Sequence, residues 1–98
     1  MNLTLAQIER LNLLQEECAE TIQAASKVLR FGYEGSHPKN KGLNNKEHLE
    51  EEIGNVCAIL TLMSLSQDID EEECSKYESE KLKTIGKYTN HQEEKDEY

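Results

Sequence analysis

Apolar residues recur at three- and four-residue steps through the first two thirds of the chain, which is the period of an α-helix. Ile8, Leu11, Leu14, Cys18, Ile22, Ala25 and Leu29 form one stripe and predict a helix from about Leu5 to Phe31. Thr4 followed by Gln7 supplies a capping box at its start, and Gly32 supplies the stop. Leu49, Ile53, Val56, Leu60 and Met63 stripe a second helix from about Lys46 to Ser66, capped by Asn44 or Asn45. A third begins after Asp68 or Asp70, with Asp70, Glu71, Glu72 and Glu73 in its first turn and Lys81, Lys83 and Lys87 near its end. That is the charge order the helix macrodipole favours. It fades around Gly86. The segment FGYEGSHPKNKGL, with the only proline, Pro38, and glycines 32, 35 and 42, is the one long loop. Residues 89–98, TNHQEEKDEY, have no apolar periodicity and read as a disordered acidic tail. The expectation is one all-α domain over residues 1–88, a helical bundle of three to four helices per chain.

Composition changes this picture in one respect. Only 36% of the 98 residues are hydrophobic, 32% are charged, and the mean hydropathy is −0.80. A single short chain of that polarity builds a thin core, so completion of the bundle by homo-oligomerisation, as a homodimer or homotetramer, is expected. The formal net charge of −9 disfavours nucleic acid and anionic membrane as partners, both being polyanions. The longest uncharged stretch, Ile53 to Gln67, is shorter than the roughly 20 residues that span a bilayer. The N-terminus MNLTLAQIER has neither the basic region nor the apolar run of a signal peptide. Three cysteines, at 18, 57 and 74, contain no CxxC pair and read as buried thiols of a reducing, cytoplasmic compartment.

The acidic residues inside the helices carry the candidate chemistry. Glu17 and Glu20 lie three apart, with Glu16 beside them, on a face that also holds Leu13 and Ala24. This face is distinct from the main stripe, so a second buried surface is expected. Glu52 and Asn55 repeat the spacing on the second helix, and Ile59 and Leu62 continue their face. Packed together, the two helices gather three carboxylates and an amide oxygen. Like charges at close range are costly unless a cation neutralises them, and an all-oxygen set points to Mg²⁺, with Mn²⁺ able to substitute. From Lys27 to Lys46 there are five cations, Lys27, Arg30, Lys39, Lys41 and Lys46, against Glu34 alone. Cations next to metal-bridged carboxylates suit a polyphosphate ligand.

Plainer readings stand beside each of these. Glutamate pairs at this spacing are common on solvated helix faces, and clustered cations also serve to balance acids. His48 can touch a phosphate or be an exposed first-turn residue, the latter being the plainer assignment. Phe31 and Tyr33 can stack on a base or seal the end of a bundle. Asn44 and Asn45 can bond a base or ribose or simply cap the helix.

The run EECAETIQAASKVLRFG, a loop, and then NNKEHLEEEIGNV resembles the all-α nucleoside triphosphate pyrophosphohydrolases of the MazG type, especially short phage-like members. The resemblance covers roughly residues 5–66 and, weakly, the Lys-rich third helix. That family's signature is ExxE on one helix and ExxD on the next. The first half maps onto Glu17 and Glu20, and the second onto Glu52 and Asn55. The resemblance implies Mg²⁺-dependent cleavage of a (d)NTP between the α and β phosphates, giving a nucleoside monophosphate and pyrophosphate. It implies Glu17, Glu20 and Glu52 as catalytic and metal-holding residues, with Asn55 as a weaker metal ligand. Lys27, Arg30, Phe31 and Lys81 are then the substrate-binding candidates, and a phage-encoded copy would work in the host cytoplasm. Asn55 departs from the family's acid and brings no charge; Glu51 or Glu16 is positioned in sequence to compensate. The alternative is a nucleotide-binding or regulatory helical module with weak or no turnover. A plain helical interaction protein is a further reading. A di-iron carboxylate bundle is more distant, since neither Glu17 nor Glu52 has a histidine three residues on.

Overall fold

The computed structural model describes residues 2–36 and 42–92. Helix α1 spans Leu5–Phe31. The Thr4 hydroxyl accepts from the Gln7 N–H at 3.1 Å and the Gln7 side chain accepts from the Thr4 N–H at 2.8 Å, which completes the capping box. Gly32 ends the helix at φ 80° and ψ 165°, a backbone region open essentially to glycine alone. Helix α2 spans Asn45–Leu65, and Asn44, not Asn45, is its cap, in a second reciprocal box with Glu47. Helix α3 spans Glu71–Thr84, with the Asp70 carboxylate accepting from the N–H groups of Glu72 and Glu73. One 3₁₀ turn, Ile85–Tyr88, follows it. No strand occurs among the described residues, only an isolated bridge between Ser36 and Asn44, so the protein is all-α.

Helices α1 and α2 form an antiparallel hairpin fastened at both ends. At the loop end the Asn45 N–H donates to the Gly35 carbonyl at 2.7 Å, and the Lys46 N–H donates to the Tyr33 carbonyl at 3.0 Å. The Asn45 side-chain amide donates to the Gly32 carbonyl at 3.0 Å, and this residue is 1% exposed. Asn45 is therefore a buried polar lock rather than a ligand to a base. At the other end α2 closes in a Schellman turn: the Gln67 N–H donates to the Ser64 carbonyl at 3.1 Å and the Asp68 N–H to the Met63 carbonyl at 2.9 Å. Gln67 holds the left-handed position at φ 63°, where glycine is usual. The turn presents Asp68 to Arg10 of α1. The Arg10 guanidinium donates to both carboxylate oxygens, through Nε and, at 3.0 Å, through Nη2.

The core is as thin as the composition predicts. Among the described residues only Ala24 and Met63 are fully buried apolar side chains. The long stripe of α1 is not the side that packs within the chain: Ile8, Leu11, Ile22 and Leu29 are exposed, Leu29 at 88%. The acid-bearing side faces α2 instead. Ala24 on that side is small enough to let the two backbones approach closely, and one α2 helix is too narrow to cover both sides of α1. Helix α3 buries no residue and packs chiefly on its own 3₁₀ extension. The radius of gyration, 16.3 Å, accordingly exceeds the about 13 Å of a compact chain of this length. The expectation of buried thiols is corrected by the same geometry: Cys18, Cys57 and Cys74 are all exposed in the single chain. Cys18 shares the uncovered stripe of α1, and Cys57 lies beside exposed Ile53 and Leu60 on α2. No helix among the described residues is long and apolar enough to cross a membrane. The loop residues 37–41, which include Lys39 and Lys41, and the tail residues 93–98 lie outside the described residues.

Candidate metal centre

Glu17 and Glu20 sit one turn apart on the inward side of α1, and Glu52 opposes them from the middle of α2. The Thr21 hydroxyl donates to the Glu17 carbonyl at 2.9 Å and reaches the Glu52 carbonyl of the facing helix at 3.4 Å, so the hairpin is stitched at the level of the acids. One carboxylate oxygen from each of Glu17, Glu20 and Glu52 lies within 4.8 Å of the others. Glu52 is only 6% exposed, while Glu17 and Glu20 are half-buried. Glu17 Oε2 and Glu52 Oε2 are buried without a hydrogen-bond partner among the described residues. A buried unpaired polar atom is costly, and a charged one more so.

The electrostatics agree with that cost. Burial, then repulsion from Glu20 and Glu16, pushes the Glu17 carboxyl above the usual carboxylate range; hydrogen bonding from Asn55 works the other way. Burial, then the neighbouring Glu20 carboxyl, pushes Glu52 up as well, with His48 opposing. Asn55, one turn beyond Glu52 on α2, is near enough to Glu17 to act on its carboxyl, and it remains exposed. The three glutamates and Asn55, separated by 38 positions between first and last, converge where the two helices face each other.

The other sequence candidates are distributed unevenly. Lys27 is half-buried two turns beyond Glu20 on the same side of α1. The Arg30 guanidinium stands over the Phe31 ring, 5.3 Å from its centroid, and both are exposed at the end of α1. Lys81 is not gathered with them: it belongs to α3, its ammonium stands 5.7 Å from the Tyr88 ring centroid, and no ion pair among the described residues joins it to the three glutamates. The reason is that α3 packs chiefly on its own 3₁₀ extension and buries no residue against the hairpin.

His48 was read from the sequence as an exposed first-turn residue and is corrected here. Its side chain is 18% exposed, and Nε2 lies 3.9 Å from Glu52 Oε1. His48, Glu51 and Glu52 form a second group whose ligand atoms all lie within 4.8 Å of one another. Their i, i+3 and i+4 spacing is the signal in the sequence that marks them as neighbours. The Arg10–Asp68 pair carried no such signal, being 58 residues apart. No protein-family model, curated protein or solved structure matches the chain.

Proposed function

We propose that this chain is a Mg²⁺-dependent nucleoside triphosphate pyrophosphohydrolase that cleaves a (d)NTP to the monophosphate and pyrophosphate. One observation carries the reading: three glutamates on two facing helices converge, and two of their oxygens are buried with no hydrogen-bond partner among the described residues. Side chains that need a cation to be satisfied fit a divalent ion, and oxygen donors fit Mg²⁺. Glu17, Glu20 and Glu52 would hold it, with the Asn55 carbonyl oxygen as a neutral fourth ligand. When bound, the ion supplies Lewis acidity and charge neutralisation at the phosphate oxygens.

The remaining chemistry belongs to the chain. One glutamate of the cluster takes the proton of a water as that water attacks the α-phosphorus, and the bond from phosphorus to the α–β bridging oxygen breaks, so that pyrophosphate departs. Lys27 and Arg30 steady the non-bridging oxygens. Phe31, already stacked with Arg30, offers an aromatic face to the base. The exposed stripe Ile8, Leu11, Ile22 and Leu29, together with Ile53 and Leu60 of α2, supports a homo-oligomeric working form. In that form α3 of one copy can bring Lys81 to the hairpin of another. A cytoplasmic location accords with thiols that nothing in the chain pairs.

The test is a pyrophosphate-release screen over ribo- and deoxyribonucleoside triphosphates with Mg²⁺ and Mn²⁺, on wild type and Glu20→Gln, with sedimentation of the active species. Mg²⁺-dependent release by an oligomer, lost in Glu20→Gln while the helix content stays, is the expected outcome. Release that survives the substitution overturns the site. The neutral Asn55, standing where the resembled family has an acid, favours a second reading, a nucleotide-binding module with weak or no turnover. It predicts nucleotide binding in the same screen with little or no pyrophosphate released.

A further inference from the structure

Ile8, Leu11, Ile22 and Leu29 of α1 and Ile53 and Leu60 of α2 are exposed, yet they are not scattered. Cys18 follows the inward Glu17 by one residue, as Ile53 follows the inward Glu52. In an antiparallel pair the same turn away from the contact leads both to the same side of the hairpin. We infer that this side is a two-fold interface with a second copy of the chain, in which α1 packs antiparallel on the α1 of that copy. The inference deepens the homo-oligomeric reading given above by assigning its face and orientation, and it does not depend on the metal.

Three observations carry it. The first is spacing. Steps of three and four alternate without a break from Ile8 through Leu11, Gln15, Cys18, Ile22 and Ala25 to Leu29, and none of these positions is charged in a chain that is 32% charged. That is the heptad seam of a coiled coil, set apart from the side that bears Glu17 and Glu20. The second is shape, and it selects the occupant. The first half of the seam is a groove of about 510 Å³ lined by Leu3, Ile8, Leu11, Asn12, Leu14 and Gln15. The second half carries the projecting side chains, Ile22 at 70% exposed and Leu29 at 88%. Antiparallel pairing lays the projecting half of each copy along the groove of the other: Ile22 meets Leu11, Ala25 meets Ile8, and Cys18 meets Gln15 at the centre. A two-fold interface requires such reciprocal contacts, and one polar layer in an apolar seam fixes its register. Parallel pairing sets groove on groove instead. The third is area. The face is about 32 Å long from Ile8 to Leu29 and about 20 Å across two helices, hence roughly 600 Å² per copy, against about 800 Å² per partner in a standard interface. It lies on the flank of α1 away from Glu20 and Lys27, so the second copy leaves that side of the carboxylates open.

The experiment joins sedimentation equilibrium of the full chain to cross-linking with a short bis-maleimide. Wild type, Ile22→Glu and Glu20→Gln are sedimented, with circular dichroism reporting helix content. For cross-linking, Leu11→Cys and Ile22→Cys are made separately in a chain carrying Cys18→Ser, Cys57→Ser and Cys74→Ser, and one of the two bears an affinity tag. Wild type is expected to dimerise at micromolar concentration. Ile22→Glu, a change at an exposed position of the single chain, raises the dissociation constant of the dimer at least a hundredfold. Glu20→Gln dimerises within about twofold of wild type, and its pyrophosphate release tests the metal reading separately. The mixed chains give a tagged–untagged cross-link. Neither chain alone gives one, because two copies of position 11, or of position 22, stand about 16 Å apart along antiparallel helices. A cross-link within Leu11→Cys alone marks a parallel pair and overturns the orientation. A dimer that gives no cross-link in the mixture, or that Ile22→Glu leaves as tight as before, overturns the face and leaves the homo-oligomeric form standing. A chain that stays monomeric at millimolar concentration overturns both. Should Ile22→Glu lose its helix content, the cross-linking arm decides, since its chains keep uncharged side chains on the seam.

Discussion

Replacing Glu52 by Gln should stabilise the metal-free protein and weaken its response to Mg²⁺, two effects of opposite sign from one isosteric change. Without metal, Glu52 Oε2 and Glu17 Oε2 are buried oxygens with nothing among the described residues to accept from. Leaving such a group unsatisfied costs about 1–3 kcal/mol. The glutamine has the same shape, carries no charge, and its amide N–H can donate to the facing carboxylates of α1. A gain of roughly 1–2 kcal/mol is therefore expected in EDTA, taking the lower part of that range because Glu17 is only half-buried. In a chain this short each kcal/mol moves Tm by about 4–8 °C. With Mg²⁺ the order reverses. A ligand at about a hundred times its Kd adds about 2.7 kcal/mol to the wild type, and a site short of one carboxylate gains less. Thermal unfolding followed by circular dichroism, in EDTA and across a MgCl₂ series, should give two Tm curves that cross. A Glu52→Gln protein that melts below wild type in EDTA, or gains as much from Mg²⁺, would refute the reasoning.

Asn55→Asp should lower the Mg²⁺ concentration that half-saturates pyrophosphate release, because a full negative charge joins the ligands; an unchanged half-saturation would place Asn55 away from the ion. Gln67→Gly should raise Tm, since the Schellman position at φ 63° strains a side chain that glycine lacks; about 0.5–1 kcal/mol is expected by chemical denaturation, and a loss would sink the assignment. The metal-free protein should show a stability maximum on the acid side of neutrality. The carboxyls of Glu17 and Glu52 are raised by the fold, so stability is fully present below their ordinary range and is lost as pH rises through their folded values. The Arg10 guanidinium holds Asp68 below its ordinary range, so its contribution is lost as pH falls through that lowered value. Tm against pH in EDTA checks this: Glu52→Gln should flatten the upper limb and Asp68→Asn the lower, and a maximum above neutrality would contradict the signs.

The helices were legible because their signals are local. Thr4 with Gln7, Asn44 with the start of α2, Gly32 and Asp70 each act within a turn of where they stand, and the observed ends fall within a residue or two of those read from the pattern. The convergence of Glu17, Glu20 and Glu52 was legible for a related reason: helical spacing fixes each residue's face, and only the pairing of two helices had to be supplied. What periodicity could not decide was which of two faces of α1 packs within the chain. Leu29 and Ala24 weigh in opposite directions, the larger side chain by apolar area and the smaller by permitting close approach, and Ala24 prevails within a single chain. His48 reads as exposed from the sequence because a histidine in a first turn is ordinarily solvated; its half-buried place follows from Glu52, four residues on, which packs against α1. Arg10 and Asp68 meet only because the hairpin closes and the turn after α2 has one particular shape.

The fastening at the base of the long loop separates loop length from helix register. Gly32, Tyr33 and Gly35 are all tied to the first residues of α2, and a side chain at position 35 would collide with the Phe31 carbonyl oxygen. With so little apolar surface buried between α1 and α2, these bonds set how far one helix is slid along the other, and hence whether Glu52 arrives opposite Glu17 and Glu20. Residues inserted or removed beyond the Ser36–Asn44 bridge change a closed loop whose entropic cost grows only slowly with length. Such changes leave the spacing of the carboxylates untouched. Sequence drift and directed diversification can therefore be spent between Ser36 and Asn44, while substitutions at Gly35 or Asn45 would shift the whole of α2 and disperse the acids together.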